Sequence, residues 1–297
     1  MRRRNVSGRS WPLAALATLL GGCSAVLDPV GPVGTGERII LLDSVAIMLA
    51  IVVPTIVAIL AFAWWFRAGN ARAQYRPQWE YSGRLELLVW SVPALVILFL
   101  GGIAWISSHE LDPAAPLSST RVPLDIEIVS LDWKWLFIYP QTQVASVNRL
   151  VVPTGTPLRL HVTSASVFNS FFVPRLGSQI YAMNGMETRL NLQADLAGIY
   201  PGLSAQFSGD GFSGMSFDVE AVPPAQFERW RTAAREHGAA LDATSYRQLL
   251  QPSQDVIPYT YRTVEAGLFD AIVTRRMPDG PGPPPTPAPG STNIQGQ

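Results

Sequence analysis

The sequence has very few thiols, amines and imidazoles. Its 297 residues include one cysteine (Cys23), one lysine (Lys134) and three histidines, and only 15% of the residues are charged. A lone cysteine has no disulfide partner within the chain. His109, His161 and His237 are far apart, so none has the spacing of a metal-ligand pair. The net charge is zero and no basic patch with interleaved aromatics occurs, so no nucleic-acid partner is indicated.

Cys23 lies at the end of a segment typical of a bacterial lipoprotein signal. The basic start Arg2–Arg4 precedes the short apolar run Trp11–Leu20, and Gly21 and Gly22 come directly before the cysteine. This layout predicts cleavage before Cys23 and attachment of a lipid such as palmitate to it. An acylated thiol is unavailable as a nucleophile or as a copper ligand. The alternative is an uncleaved signal anchor followed by an ordinary buried cysteine.

Two long apolar runs predict transmembrane helices. Residues 39–66 and 85–106 each exceed the roughly 20 residues that cross a bilayer, and tryptophans lie near their ends, as in an interfacial belt. Buried helices of a soluble core are the alternative. The loop between the runs holds four arginines and one acid, whereas the outer flanks are poor in basic residues. The positive-inside rule therefore places this loop in the cytoplasm and both mature ends in the periplasm.

From Arg121 onward the sequence changes to short strand-like runs. Residues 122–130 alternate with period two, and further runs predict a β-sandwich or barrel; they are 133–139, 149–152, 158–162, 170–173, 188–192 and 216–222. The predicted order is a signal peptide (1–22), a lipidated linker (23–38), the first span (39–66), a cytoplasmic loop (67–84), the second span (85–106), the β-domain (107–223), a helical extension (224–277) and a disordered tail (278–297) rich in Pro, Gly, Ser and Thr.

Two segments of the β-domain keep the frame of a copper-binding motif without its ligands. SVFNSFFVP (166–174) has Asn169 where D-V-x-H-S-F-x-x-P has histidine. Residues 207–218 follow the frame C-S-E-x-C-G-x-x-H-x-x-M, with its ligands replaced by Phe207, Gly211, Met215 and Asp218. Here the chain resembles subunit II of the haem–copper respiratory oxidases, in which two membrane helices precede a periplasmic cupredoxin sandwich. Members that oxidise cytochrome c hold dinuclear copper there. The resemblance implies that this chain lacks that metal, because no thiolate or imidazole survives.

Three strings make the resemblance specific for subunit II of the bo-type ubiquinol oxidases: VSLDWKW (129–135), NSFFVPRLGSQIYAM (169–183) and GFSGMSF (211–217). It covers residues 23 to about 277. It implies a subunit of a proton-pumping enzyme that oxidises ubiquinol and reduces oxygen in the bacterial inner membrane. The haems and remaining copper are then expected in subunit I, with no cofactor and no catalytic residue in this chain. The implied partners are subunits I, III and IV, membrane lipid, and ubiquinol bound through subunit I.

The resemblance also suggests roles for individual residues. Glu86, just inside the second span, matches a glutamate at the mouth of a proton-input channel into subunit I. A carboxylate there is costly without a role or a partner. The alternative is a glutamate that snorkels to the membrane interface or pairs with Arg84. Trp133 matches the electron-entry aromatic of cytochrome-c-oxidizing relatives, but strand spacing favours Trp133 and Trp135 as a pair that packs on subunit I. Asp43, inside the first span, is expected to hydrogen-bond to a neighbour.

Two other functions stay open. One is a non-enzymatic membrane lipoprotein whose β-domain is a binding or assembly module, which would copurify with no haem. The other is a cytochrome c oxidase subunit with a decayed copper site, which would still oxidise cytochrome c.

Overall fold

The computed structural model describes residues 24–74 and 76–282. The predicted signal peptide, Cys23 and residues 283–297 of the predicted tail lie outside the described residues. The chain divides into two compact units. One is the helical segment Gly36–Asp112, and the other is a β-rich unit that contains Pro113 onward together with the N-terminal segment up to Thr35.

The N-terminal part contains a short helix, α1 (Ser24–Leu27), and two long helices, α2 (Pro32–Trp65) and α3 (Gly83–Glu110). Both long helices are long and apolar enough to cross a membrane, and they include the two predicted spans. Proline is well suited to the first turn of a helix, since its fixed φ is helical and its missing N–H has no partner there. This accounts for the start of α2 at Pro32 rather than at residue 39.

The prediction of a free linker over residues 23–38 was wrong for most of this segment. Val30 is buried against the β-rich unit, and its N–H donates to the Arg175 carbonyl at 2.8 Å. A Cβ on Gly31 would lie 2.0 Å from the Gln193 carbonyl oxygen, so only glycine permits this close approach. The segment is therefore packed on the β-rich unit before α2 continues.

The β-rich unit consists of two sheets. The seven-stranded sheet has the order β11-β12-β3-β2-β1-β5-β8, and the five-stranded sheet has the order β4-β10-β9-β6-β7. All seven predicted strands are present. The strands are β1 (Leu124–Leu131), β2 (Lys134–Tyr139), β3 (Val144–Val147), β4 (Arg149–Pro153), β5 (Leu158–Ser164), β6 (Asn169–Phe172), β7 (Ile180–Ala182), β8 (Thr188–Leu192), β9 (Gly198–Ser204), β10 (Ser216–Val222), β11 (Ala239–Leu241) and β12 (Tyr259–Val264).

The core between the sheets is rich in aromatic rings. Phe171 stacks on Phe217 with ring centroids 5.0 Å apart, and Trp135 meets both rings edge-on. A second apolar cluster lies on the opposite face of the seven-stranded sheet, where side chains such as Leu136 pack with Tyr246. Both faces of β2 are therefore covered, and every residue of that strand is buried.

The C-terminal extension is only partly helical, so the prediction for residues 224–277 needs correction. It contains α4 (Pro224–Glu236), α5 (Ala243–Leu249) and α6 (Leu268–Val273), but also β11 and β12. β12 pairs antiparallel with β3, with Tyr261 opposite Ala145. Strands β11 and β12 therefore lie within the predicted helical extension, because β-propensity depends strongly on tertiary context.

The predicted disorder from residue 278 was also wrong for the first residues of that segment. The Gly280 N–H donates to the Ala165 carbonyl at 2.6 Å, and the Gly282 N–H donates to Asp132 Oδ2 at 3.0 Å. Asp279 accepts from Asn184 Nδ2 at 2.9 Å. These bonds hold residues 279–282 on the β-rich unit.

Candidate functional site

Two of the five replaced copper-ligand positions touch each other in the core. Asn169 begins β6 and Met215 directly precedes β10, and the Asn169 amide donates from Nδ2 to Met215 Sδ at 3.2 Å. Asn169 Oδ1 accepts from the Ser170 N–H at 2.7 Å. The two side chains are only 1% and 2% exposed. An amide and a thioether thus satisfy one another where the motif frame has two imidazoles.

A third position, Gly211, lies under the indole of Trp133. Trp133 has a φ of 64° in the turn between β1 and β2, which directs its ring toward residues 208–211. A Cβ on Gly211 would lie 2.4 Å from Trp133 Cδ2. The indole Nε1–H also donates to the Ser208 carbonyl at 3.0 Å. The ring therefore fills the space that a side chain at position 211 would need.

The other two positions lie outside this cluster. Phe207 is 72% exposed, and its ring packs edge-on against Phe212 with centroids 5.6 Å apart. Asp218 is exposed on β10. The sequence frame is thus kept, but its five positions do not converge on one point.

These residues do not fit a dinuclear copper centre. Such a centre needs soft thiolate ligands with imidazoles, whereas the converging groups are an amide, a thioether and a glycine without a side chain. Within the part of the chain that the structure describes, no group of three or more His, Cys, Asp or Glu side chains is placed to hold a metal ion. Packed core occupies the ligand positions at Asn169, Gly211 and Met215.

The tryptophan pair is not placed as predicted. Trp135 is fully buried between the sheets, and Trp133 is only 6% exposed. The positive φ of Trp133 interrupts the strand, yet both rings enter the same core cluster between the sheets. Both side chains lie inside the β-rich unit, so the predicted contact with subunit I is limited to the small exposed part of Trp133.

The two predicted polar residues of the spans lie on the long helices. Glu86 is in the first turn of α3, where its N–H donates to the Ser82 carbonyl at 3.0 Å. Its side chain is exposed, and so is that of Asp43 on α2. A carboxylate in the first helical turn interacts favourably with the N-terminal end of the helix dipole.

Lys134 was not among the predicted site residues, although it is the only lysine in the chain. It begins β2 and is only 2% exposed. Lysine is almost never fully buried without a partner, and here Nζ donates to the Gln251 carbonyl and to the Ser253 hydroxyl.

Comparison with known proteins identifies the family. Residues 126–222 match the family "Cytochrome C oxidase subunit II, periplasmic domain", and residues 235–280 match "COX Aromatic Rich Motif". The chain is 46% identical over 266 residues to "Cytochrome bo(3) ubiquinol oxidase subunit 2" of Pseudomonas aeruginosa, which covers 89% of this chain and 80% of that protein. This chain belongs to the ubiquinol oxidase subunit II family. "Ubiquinol oxidase subunit 2" of Acetobacter aceti is 46% identical over 262 residues, covering 87% of this chain and 85% of that protein.

Among solved structures, the periplasmic domain of subunit II of cytochrome oxidase from Bradyrhizobium japonicum is similar, with 23% identity and a TM-score of 0.38. The match covers 41% of this chain and 98% of that one.

Membership of the ubiquinol oxidase subunit II family makes this chain a subunit of a terminal quinol oxidase, an oxidoreductase complex with other subunits. Two apolar helices followed by a cupredoxin-like β-sandwich confirm the predicted fold class. The chain is accordingly an inner-membrane protein with a periplasmic domain.

Proposed function

We propose that this chain is the copper-free, non-haem subunit II of a proton-pumping ubiquinol oxidase, and that it stabilises the complex without carrying electrons. The single observation that carries this proposal is the packing of the Trp133 indole on Gly211. A relay for electrons from a periplasmic donor needs a redox centre, and this packing leaves no side chain at a position that would have to supply a thiolate.

The proposed electron path therefore bypasses the periplasmic domain. Ubiquinol is a membrane-dissolved donor that binds through subunit I, where the haems and copper reduce oxygen. Subunits III and IV complete the assembly. The names of the curated relatives, which specify ubiquinol, support this choice of donor.

The mature N-terminus is proposed to be anchored by lipid on Cys23. The signal-like residues before it support this. With both mature ends in the periplasm, the arginine-rich loop of residues 67–84 lies in the cytoplasm. This places the first turn of α3 at the cytoplasmic surface of the membrane.

Glu86 is proposed to form part of the proton entrance into subunit I. Its exposed position in the first turn of α3 leaves the carboxylate open to a partner subunit and to cytoplasmic water. We expect Glu86→Ala and Glu86→Gln in the assembled oxidase to slow quinol-driven oxygen uptake and proton uptake while the haem spectrum is retained. Glu80→Gln is the matched control, since Glu80 is an exposed acid of the preceding loop. Wild-type turnover and proton uptake in both Glu86 variants would contradict this role.

The assignment as a whole is tested by purifying the tagged chain in mild detergent. We expect copurified haem, copper only at the level that subunit I requires, and oxygen uptake driven by ubiquinol. A preparation without haem would instead support the lipoprotein alternative. Oxygen uptake driven by reduced cytochrome c would support the alternative of a decayed cytochrome c oxidase subunit.

A further inference from the structure

A cavity of about 190 Å³ lies beside the ammonium group of Lys134. Its walls come from the start of β2, from α5, from the segment that follows α5 and from β12. It is separate from the Asn169–Met215 contact and from the helical segment. Nothing in the proposed electron path uses it.

The third donor of the Lys134 ammonium group is only weakly engaged. Nζ donates to the Ser253 hydroxyl at 2.6 Å and to the Gln251 carbonyl at 2.7 Å. Its third contact, to the Asp132 carbonyl, is 3.5 Å long. An ammonium group carries three donors, so two are well satisfied, and the third, held by this long contact, is the one that a molecule in the cavity would take over.

Lys134 is the only charged residue among those that line the cavity. Two acids lie nearby, and neither lines the cavity. Asp132 Oδ2 accepts from the Gly282 N–H, whereas its buried Oδ1 has no hydrogen-bond partner among the described residues. Asp242 accepts from the N–H groups at the start of α5. Burial lowers the pKa of Lys134 to about 8 while Asp132 acts in the opposite direction. The ammonium form therefore predominates at neutral pH.

The remaining polar lining consists of neutral groups that can donate hydrogen bonds. The hydroxyls of Tyr259 and Tyr261 lie 3.4 Å apart, and the side chain of Gln248 completes this wall. Burial raises the pKa of Tyr261, so that its hydroxyl stays protonated. Leu249 and Val256 supply apolar surface on the same cavity.

We propose that this cavity binds a small organic monocarboxylate, with its carboxylate at Lys134 Nζ and its alkyl part against Leu249 and Val256. A buried cation is stabilised by a paired anion, and the lining offers one positive charge. A dianion would place a second negative charge in the cavity with no positive partner among its lining residues. The apolar part of the lining favours an organic acid over a simple halide.

The sole lysine makes the test specific. The assembled oxidase is treated with trace formaldehyde and a mild reductant, and methylation of Lys134 is followed by mass spectrometry of its peptide. Potassium acetate is the probe, at constant ionic strength. Acetate at about ten times its dissociation constant should slow methylation of Lys134 about tenfold, because only the unoccupied fraction reacts. Lysines of the other subunits provide the internal control.

A matched pair of variants locates the binding. Tyr261→Phe keeps the ring and removes a donor of the cavity, so more acetate should be needed for half-protection. Tyr181→Phe alters an exposed tyrosine on β7 and should leave the protection unchanged.

Several results would overturn the proposal. The first is a rate of Lys134 methylation that acetate does not change, and the second is a Lys134 that formaldehyde does not modify because no small solute enters the cavity. The third is protection of Lys134 by potassium chloride equal to that by potassium acetate. The fourth is the same acetate concentration for half-protection in the Tyr261→Phe and Tyr181→Phe variants.

Discussion

Replacement of Gly211 by alanine is expected to destabilise the β-rich unit. The new methyl carbon would lie 2.4 Å from Trp133 Cδ2 and 2.5 Å from Cγ, so the indole must move. Overpacking of a well-packed core costs about 1–3 kcal/mol. Displacement of the ring also weakens the bond from Nε1 to the Ser208 carbonyl, which is worth about 1 kcal/mol. The expected loss is therefore about 2–4 kcal/mol of unfolding free energy.

Pulse proteolysis in a urea series, applied to the full chain in detergent, measures this loss. With a urea dependence of about 2 kcal/mol per molar, the unfolding midpoint should fall by about 1–2 M. Ser213→Ala is the matched control, because Ser213 is exposed in the same short turn and loses only a hydroxyl.

A double-mutant cycle with Trp133→Phe tests the cause. The smaller ring should accommodate the methyl group, so Gly211→Ala should cost less in this background than in the wild type. An unchanged midpoint for Gly211→Ala, or an equal cost in both backgrounds, would refute the reasoning that the indole fills this position.

Two more predictions use the same proteolysis assay. Asn148→Gly suits the positive φ of this position but removes the side-chain oxygen that accepts from the buried Trp135 N–H at 2.8 Å, so it should lower the free energy of unfolding by about 1–3 kcal/mol. Gln143→Gly, at an exposed position that also has a positive φ, should be near neutral. Equal effects of the two substitutions would contradict the role of the Asn148 side chain. Burial, with Asp270 adding to it, raises the pKa of Glu127 from 4.5 to about 7, so the folded state binds a proton more tightly than the unfolded state. The stability that this tighter proton binding gives to the folded state is fully present below pH 4.5 and is lost as the pH rises through about 7. Glu127→Gln should make the unfolding midpoint less dependent on pH over this range. The same pH dependence in the variant and the wild type would contradict the raised pKa of Glu127.

The strands were predictable where alternation was long and its apolar face was buried. β1, β8 and β10 follow the predicted ranges closely, because period-two patterns determine which face enters the core. β3, β7 and β9 were missed. The first two are short and have no complete alternation of their own. β9 contains Gly198, Pro201 and Gly202, and glycine and proline are disfavoured in strands. Their pairing depends on neighbours that a local pattern does not contain.

The replaced copper frame could be recognised from the sequence, but its packing could not. The motif spacing showed that Asn169 and Met215 stand at ligand positions, and the structure adds that they touch. The contact between Trp133 and Gly211 depends on a positive φ at a tryptophan, which is uncommon and has no sequence signal. The cavity at Lys134 depends likewise on β12, which lies in the segment predicted as a helical extension.

The position of β12 bears on how the domain is made. β12 lies between β11 and β3, although it follows β3 by a long stretch of chain. A polypeptide exported from its N-terminus delivers Val144–Val147 well before Tyr259–Val264. During that interval β3 has an unpaired edge, which is open to pairing with other chains. The final steps of secretion therefore complete the sheet, and a chain interrupted before residue 259 would leave an aggregation-prone edge in the periplasm.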